Sequence, residues 1–126
     1  MPGSLKDMLA AANAAVPRIS PSEAAGLIGC AKVLVVDVRE GPELQASGKI
    51  PGAMHVPRGM LEFRADPESS LHDKAFDRGA TIILYCASGG RAALSGKVLQ
   101  DLGYGDVRNL GAFKDWAESG GAVGPA

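Results

Sequence analysis

A cysteine followed by a glycine pair and an arginine is the part of this sequence best suited to covalent chemistry. Cys86 follows a run, residues 82–85, of apolar and aromatic side chains that is preceded by Thr81 and is typical of a short strand covered on both faces. Gly89 and Gly90 follow, and apolar residues then recur at helical spacing as far as Gly103, which predicts a helix. The thiol is therefore predicted to face the N-terminus of that helix.

This placement predicts a reactive thiolate. The first N–H groups of a helix lack intrahelical partners, and Gly89 and Gly90 allow several of them to converge on one anion. A free thiol titrates near ~8.5, whereas a helix N-terminus and a neighbouring cation lower its pKa to roughly 3.5–7.5. Arg91 is the neighbouring cation, so we expect Cys86 to be largely thiolate at neutral pH. The competing interpretation is a small buried hydrophobe, the usual role of an unpaired cysteine.

Composition limits the classes of partner. The chain has 126 residues, of which 46% are hydrophobic, enough for one globular core. Its 13 basic and 14 acidic residues are interspersed, so neither nucleic acid nor an anionic membrane surface is indicated as a partner. The apolar stretches are too short to span a bilayer. Asp7 precedes and Asn13 interrupts the Ala-rich segment 8–16, which is predicted to be an amphipathic helix rather than a signal peptide.

The two cysteines, Cys30 and Cys86, could form one disulfide, but that would block the loop after Cys86. A reducing compartment, and hence a cytoplasmic location, is the simpler expectation. A metal site is not expected, because the sequence has no Cys-x-x-Cys and only two histidines.

Helix and strand signals alternate along the chain. Strands are predicted at Val33–Val38, Ala53–Val56, Thr81–Cys86 and Val107–Leu110, with helices at about 5–15, 20–28, 42–48, 58–64, 90–102 and 112–118. This alternation predicts a three-layer α/β fold in which helices cover both faces of a mainly parallel sheet, counted as five-stranded. Ligands of such sheets bind beyond the carboxyl ends of the strands, where Cys86 lies.

Four segments carry a further pattern. Val35–Arg39 contains Asp-x-Arg, Ile50–Pro57 contains Pro-Gly-Ala, Cys86–Ala92 is the cysteine loop, and Asn109–Trp116 follows it. In this order and spacing the segments resemble the rhodanese family of sulfurtransferases, over about residues 19–116. Residues 1–17 are therefore assigned to a helical extension and 18–126 to a rhodanese-like domain. The extension is predicted to cap the domain, the alternative being that it pairs two subunits in a homodimer.

The resemblance implies a role for each residue of the loop. Cys86 is the nucleophile, and Arg91 helps to bind an anionic donor. The backbone amides that cradle a persulfide on Cys86 belong to Ala87, Ser88, Gly89, Gly90 and Arg91. The expected reaction moves a sulfane sulfur from thiosulfate or a persulfide to cyanide or a thiol, and it needs no metal or organic cofactor.

Two other functions remain in view. Related cysteine-dependent phosphatases and arsenate reductases enclose an oxyanion with Cys-x5-Arg, whereas four residues separate Cys86 from Arg91 here. The shorter loop suits a persulfide sulfur better than phosphate or arsenate. A rhodanese-like module that only carries sulfur, or only binds a partner, is the second alternative.

Several residues outside the loop are candidates for supporting roles. Asp37 and Arg39 are predicted to form an ion pair that braces the loops rather than to contact substrate. Arg58 follows Pro57 near the expected mouth of the site, where it could attract an anionic donor or be simply a solvated surface residue. Among the remaining candidates, His55 is expected to be a structural histidine. Cys30 is expected to be inert packing at the end of the helix at 20–28, and Phe113 and Trp116 are expected to lie in the core.

Overall fold

Four parallel strands form the sheet at the centre of the fold. In this computed structural model, which describes residues 3–126, the strands are β1 (Val33–Asp37), β2 (Met54–His55), β3 (Thr81–Cys86) and β4 (Asp106–Ala112). Their order in the sheet is β2-β1-β3-β4. The helices are α1 (Leu5–Ala15), α2 (Pro21–Leu27), α3 (Gly41–Ser47), α4 (Leu61–Ala65), α5 (Gly90–Asp101) and α6 (Phe113–Glu118), with a 3₁₀ turn at Arg58–Met60. The predicted α/β fold is confirmed.

The prediction of a fifth strand is wrong for the described part of the chain. The segment before α2 reaches the edge of β4 but forms only a single parallel bridge, between Arg18 and Asn109. The Ile19 N–H donates to the Asn109 carbonyl at 3.0 Å, and the Asn109 N–H donates to the Pro17 carbonyl at 2.9 Å. Pro17 has no N–H with which to extend this ladder, and Pro21 begins α2. The two prolines therefore limit the segment to a bridge.

The side chains of β3 alternate between the two faces of the sheet. Ile82, Leu84 and Cys86 pack with side chains of α4 and α5. Ile83 and Tyr85 pack with side chains of α2 and α6, including the buried Phe113 and Trp116. This period of two directs the Cys86 side chain towards α5 rather than α6.

Helix α1 packs against α5 of its own domain. Ala12 and the C-cap residue Val16 are buried, whereas Leu5 and Met8 are 64% and 59% exposed. The predicted apolar face is thus divided between the domain and solvent. Within residues 3–126, no helix has the length and apolar character needed to cross a membrane.

The prediction that Cys30 packs in the core is wrong, because this side chain is exposed. Helix α2 ends at Leu27, and Gly29 turns the chain through a left-handed conformation with φ +91°. Cys30 therefore lies on a surface turn, where its thiol faces the Gly26 carbonyl at 3.6 Å.

Gly96 tests the packing between α1 and α5. A Cβ atom at this position would lie 2.8 and 2.9 Å from the two Val16 methyl groups. We expect Gly96→Ala to lower the free energy of unfolding by about 1–3 kcal/mol, measured by urea denaturation. Gly26→Ala is the matched control, because its Cβ would meet nothing within 4 Å. The control should be neutral or stabilising, and equal stability of the two variants would contradict the packing.

Candidate active site

Cys86 ends β3 directly below the N-terminus of α5. Its side chain is fully buried, with 0% exposure, and its thiol is free. The Gly89 N–H donates to Cys86 Sγ with an N-to-S distance of 2.9 Å. Of the five backbone amides predicted to cradle the sulfur, all within the described residues, the Gly89 amide is the one that donates to it. The donor is thus aimed at the atom on which negative charge would change during a displacement.

Gly89 takes a backbone conformation that makes this hydrogen bond possible. It is the N-cap of α5 and lies in the left-handed region, with φ +99° and ψ −16°. A side chain there would also stand 3.4 Å from the Gly111 Cα. Glycine adopts this conformation without the steric cost that other residues incur. The second glycine, Gly90, is the first residue of α5, and Ala87 and Ser88 are exposed.

The Arg91 guanidinium forms a two-point ion pair with Glu43 of α3. Its Nη1 and Nη2 atoms donate to the two carboxylate oxygens at 2.7 and 2.9 Å. The hydrogen bonds to Glu43 raise the pKa of Arg91, against the opposing effect of burial, and the nearby Cys86 adds to the increase. The same pair lowers the pKa of Glu43 from 4.5 to about 2. The cation beside Cys86 is thus already matched by a carboxylate.

Glu43 is a site residue that the sequence reasoning missed. It stands at the third position of α3, where its carboxylate also accepts the Glu40 N–H at 2.9 Å. A glutamate at this position is a common helix cap, so the sequence pattern explains it without reference to the cysteine loop. A signal was nevertheless present, because α3 begins just beyond the carboxyl end of β1, at the edge of the sheet where Cys86 lies.

Asp37 and Arg39 form a fully buried ion pair. Arg39 donates from Nη2 to an Asp37 carboxylate oxygen at 2.7 Å, and its Nε donates to both oxygens at 3.0 and 3.1 Å. Arg39 also donates to the Ser47 hydroxyl and the Gly48 carbonyl, and it lies 4.3 Å from the centre of the Phe113 ring. These contacts connect the end of β1 with the end of α3 and the start of α6.

A cavity of about 540 Å³ opens between α3 and α6. Ala46, Phe113 and Ala117 contribute apolar surface, and Glu43 and Lys114 contribute charged groups. Ala87 also lines the cavity, which therefore begins one residue from Cys86. Its size is within the range of small-molecule sites, about 300–1,000 Å³.

The other predicted residues lie away from this cavity. Arg58 forms an exposed ion pair with Glu62, with 2.9 Å between Nη1 and the carboxylate oxygen. The His55 ring donates from Nε2 to the Arg39 carbonyl at 2.7 Å, so it has a structural partner. No group of three His, Cys, Asp or Glu side chains in the described part of the chain is arranged to hold a metal ion.

Comparisons with known proteins point to one family. The family model of the rhodanese-like domain matches residues 20–119. The chain is 28% identical over 112 residues to human thiosulfate:glutathione sulfurtransferase. This alignment covers 83% of the chain and 96% of the human protein. The structure of a human single-domain sulfurtransferase superposes with a TM-score of 0.68 at 27% identity, covering 82% of this chain and 96% of that one.

A bacterial structure resembles the chain over nearly its whole length. It is a Rhodopseudomonas palustris protein of unknown function, described as a possible tyrosine phosphatase. The TM-score is 0.89 at 35% identity, and the match covers 98% of this chain and 99% of that one. The match therefore extends into the region of α1.

The Glu43–Arg91 pair should make stability depend on pH. The pKa of Glu43 in the folded protein, about 2, is below its ordinary 4.5. The stabilisation is therefore complete above pH ~4.5 and is lost as pH falls towards 2. Because both side chains are about one-third exposed, solvent screens the pair, and we expect about 1 kcal/mol. Urea unfolding of the wild type and Glu43→Gln should differ by this amount at pH 7 and converge near pH 2.

Glu62→Gln is the matched control for this experiment, since it removes the partner of Arg58 in an exposed pair one helical turn apart. It should change the free energy of unfolding by only about 0.3–0.5 kcal/mol. A Glu43→Gln difference that stayed constant from pH 7 to pH 2 would contradict the role of the ionised pair.

Proposed function

Because the chain belongs to the rhodanese-like domain family, we propose that it is a sulfurtransferase in which Cys86 carries the transferred sulfur. The donor is thiosulfate or a persulfide, and the acceptor is cyanide or a thiol. The observation that carries the proposal is the Gly89 N–H, which donates to Cys86 Sγ at the carboxyl end of β3. A preorganised donor aimed at an atom on which charge develops stabilises that charge in the transition state.

Each half-reaction is a nucleophilic displacement at sulfur. The Cys86 thiolate attacks the outer sulfur of thiosulfate, a new sulfur–sulfur bond forms, and sulfite leaves with the electron pair of the broken bond. Cyanide or an acceptor thiolate then attacks the outer sulfur of the Cys86 persulfide, and Cys86 leaves as the thiolate. The two steps balance without an external oxidant or reductant. They predict ping-pong kinetics.

The surrounding residues take supporting roles in this proposal. Arg91 provides positive charge beside Cys86, and Glu43 holds its guanidinium in place. The Asp37–Arg39 pair braces the adjoining loops. Arg58, which pairs with Glu62 outside the cavity, attracts the anionic donor from solution through its charge. Helix α1, in the 1–17 extension, caps the 18–126 domain through α5.

The cavity beside Ala87 is the proposed binding site for the acceptor. Its volume and apolar walls fit a small organic thiol better than they fit a small inorganic anion. The similar human protein is a thiosulfate:glutathione sulfurtransferase, so glutathione is the first acceptor to test here.

A phosphatase is the second candidate, because the similar bacterial protein is described as a possible tyrosine phosphatase. The four-residue spacing between Cys86 and Arg91 weighs against it, as does the carboxylate of Glu43 on the arginine that would bind phosphate. A carboxylate next to the binding arginine repels a phosphate dianion.

Mass spectrometry of the intact protein tests the proposal. The Cys30→Ser protein should be used, because Cys30 is exposed and would also react. Incubation with thiosulfate should add one sulfur, ~32 Da, to this protein and none to a Cys30→Ser, Cys86→Ser double variant. Cyanide should then remove the added mass and release thiocyanate.

The other results separate the alternatives. Sulfur that loads on Cys86 but is not released to cyanide or glutathione would identify a carrier rather than an enzyme. No loading from thiosulfate or from an organic persulfide would contradict the proposal. Hydrolysis of p-nitrophenyl phosphate that disappeared in the Cys86→Ser variant would favour the phosphatase.

A further inference from the structure

We propose that Asn109 is a positioning residue of the cysteine loop. Its side-chain amide holds the Gly89 carbonyl and so directs the Gly89 N–H at the Cys86 sulfur. The inference rests on the proposed function only in taking Cys86 as the reacting group. It adds a residue of β4 to a site built from β3 and α5.

An irregularity in the sheet places Asn109 below the loop. Asn109 pairs with Leu84, two residues before Cys86, and the register then shifts so that Tyr85 pairs with Gly111. Leu110 is the additional residue of this bulge. Because Asn109 stands opposite Leu84, its side chain lies on the α5 face of the sheet, the face that Cys86 also uses.

The hydrogen bonds of Gly89 connect Asn109 with the sulfur. Asn109 Nδ2 donates to the Gly89 carbonyl at 3.2 Å, and the N–H of the same glycine donates to Cys86 Sγ at 2.9 Å. The first turn of α5 also uses this carbonyl, which accepts the Ala93 N–H at 3.0 Å. Gly89 and Gly90 have a wider range of allowed backbone conformations than the other residues of the loop. An anchor on the Gly89 carbonyl therefore restricts where the Gly89 N–H can point.

The asparagine is otherwise unfavourable at this position. It is 1% exposed, and its Oδ1 has no hydrogen-bond partner among the described residues. A buried amide oxygen without a partner costs free energy, whereas an apolar side chain of similar shape would not. The backbone hydrogen bonds of Asn109, to Pro17 and Ile19, do not depend on the side chain. The contact that the side chain makes through Nδ2 serves the cysteine loop rather than the sheet.

The pH dependence of Cys86 alkylation separates positioning from a merely structural role. Iodoacetamide should be reacted with the Cys30→Ser protein, with and without Asn109→Leu, at several pH values. We expect the leucine variant to react about 5–10-fold more slowly at pH 7, with its half-maximal rate at a higher pH. The variant leaves the charged groups near the sulfur unchanged. They are Arg91, its partner Glu43, and Arg18, which lies beside Gly89.

Stability gives the second measurement. The urea midpoint of Asn109→Leu should equal or exceed that of its parent, because the unpaired oxygen is removed. Tyr104→Phe is the matched control, because it removes a buried hydrogen bond, from the Tyr104 hydroxyl to the Ala65 carbonyl, that involves no residue of the cysteine loop. The control should keep the alkylation profile of its parent even where it is less stable.

Two results would overturn the inference. One is an Asn109→Leu protein with the alkylation profile of its parent, and the other is a Tyr104→Phe protein with the shifted profile. If the leucine variant does not fold, Asn109→Val removes the Nδ2 donor without adding a charge, and the same slowing is expected. Alkylation requires no sulfur transfer, so a wild type that fails to load sulfur while Asn109→Leu shifts the profile would contradict only the proposed function.

Discussion

The hydrogen bond from the Gly89 N–H to the Cys86 sulfur is the interaction on which the site depends. It requires a strand that ends on the face towards α5, and a left-handed residue between that strand and the helix. Because side chains alternate along β3, Cys86 ends the strand on the face towards α5. Glycine adopts the left-handed conformation without steric cost. The cores on both faces of the sheet hold α5 and β3 in register. The whole α/β framework therefore contributes to the 2.9 Å contact.

Two ion pairs lie close to the cysteine. Arg91 is matched by Glu43, and the buried Arg39 is matched by Asp37. This arrangement avoids the cost of an unpaired charge in a largely buried region. It also means that the backbone amide, rather than a free cation, makes the direct contact with the sulfur. The neighbouring cavity combines apolar walls with a few polar groups, which is typical of sites for small organic ligands.

The sequence predicted the local features of the site and missed its long-range contacts. The run before Cys86, the glycines after it and the following helix are local patterns, and the structure contains each of them. Glu43 and Arg91 are 48 positions apart, and Asn109 and Gly89 are 20 positions apart. Sequence spacing alone therefore gives no sign of either contact. The fifth strand that the sequence count predicted is absent from the described residues, where the segment between Pro17 and Pro21 forms only a bridge from Arg18 to Asn109. Cys30, at the end of a predicted helix, was likewise expected to pack, but the turn at Gly29 exposes it.

The central claim is that the Gly89 N–H is hydrogen-bonded to Cys86 Sγ, the atom to which the transferred sulfur becomes attached. Its most direct test is the ¹H–¹⁵N resonance of Gly89, recorded for the Cys30→Ser protein before thiosulfate, after it, and after a cyanide chase. We predict that this resonance moves on sulfur loading, returns to its first position after cyanide, and does not move in the variant that also lacks Cys86. A Gly89 resonance that stayed in place while the protein gained the mass of one sulfur would contradict the claim.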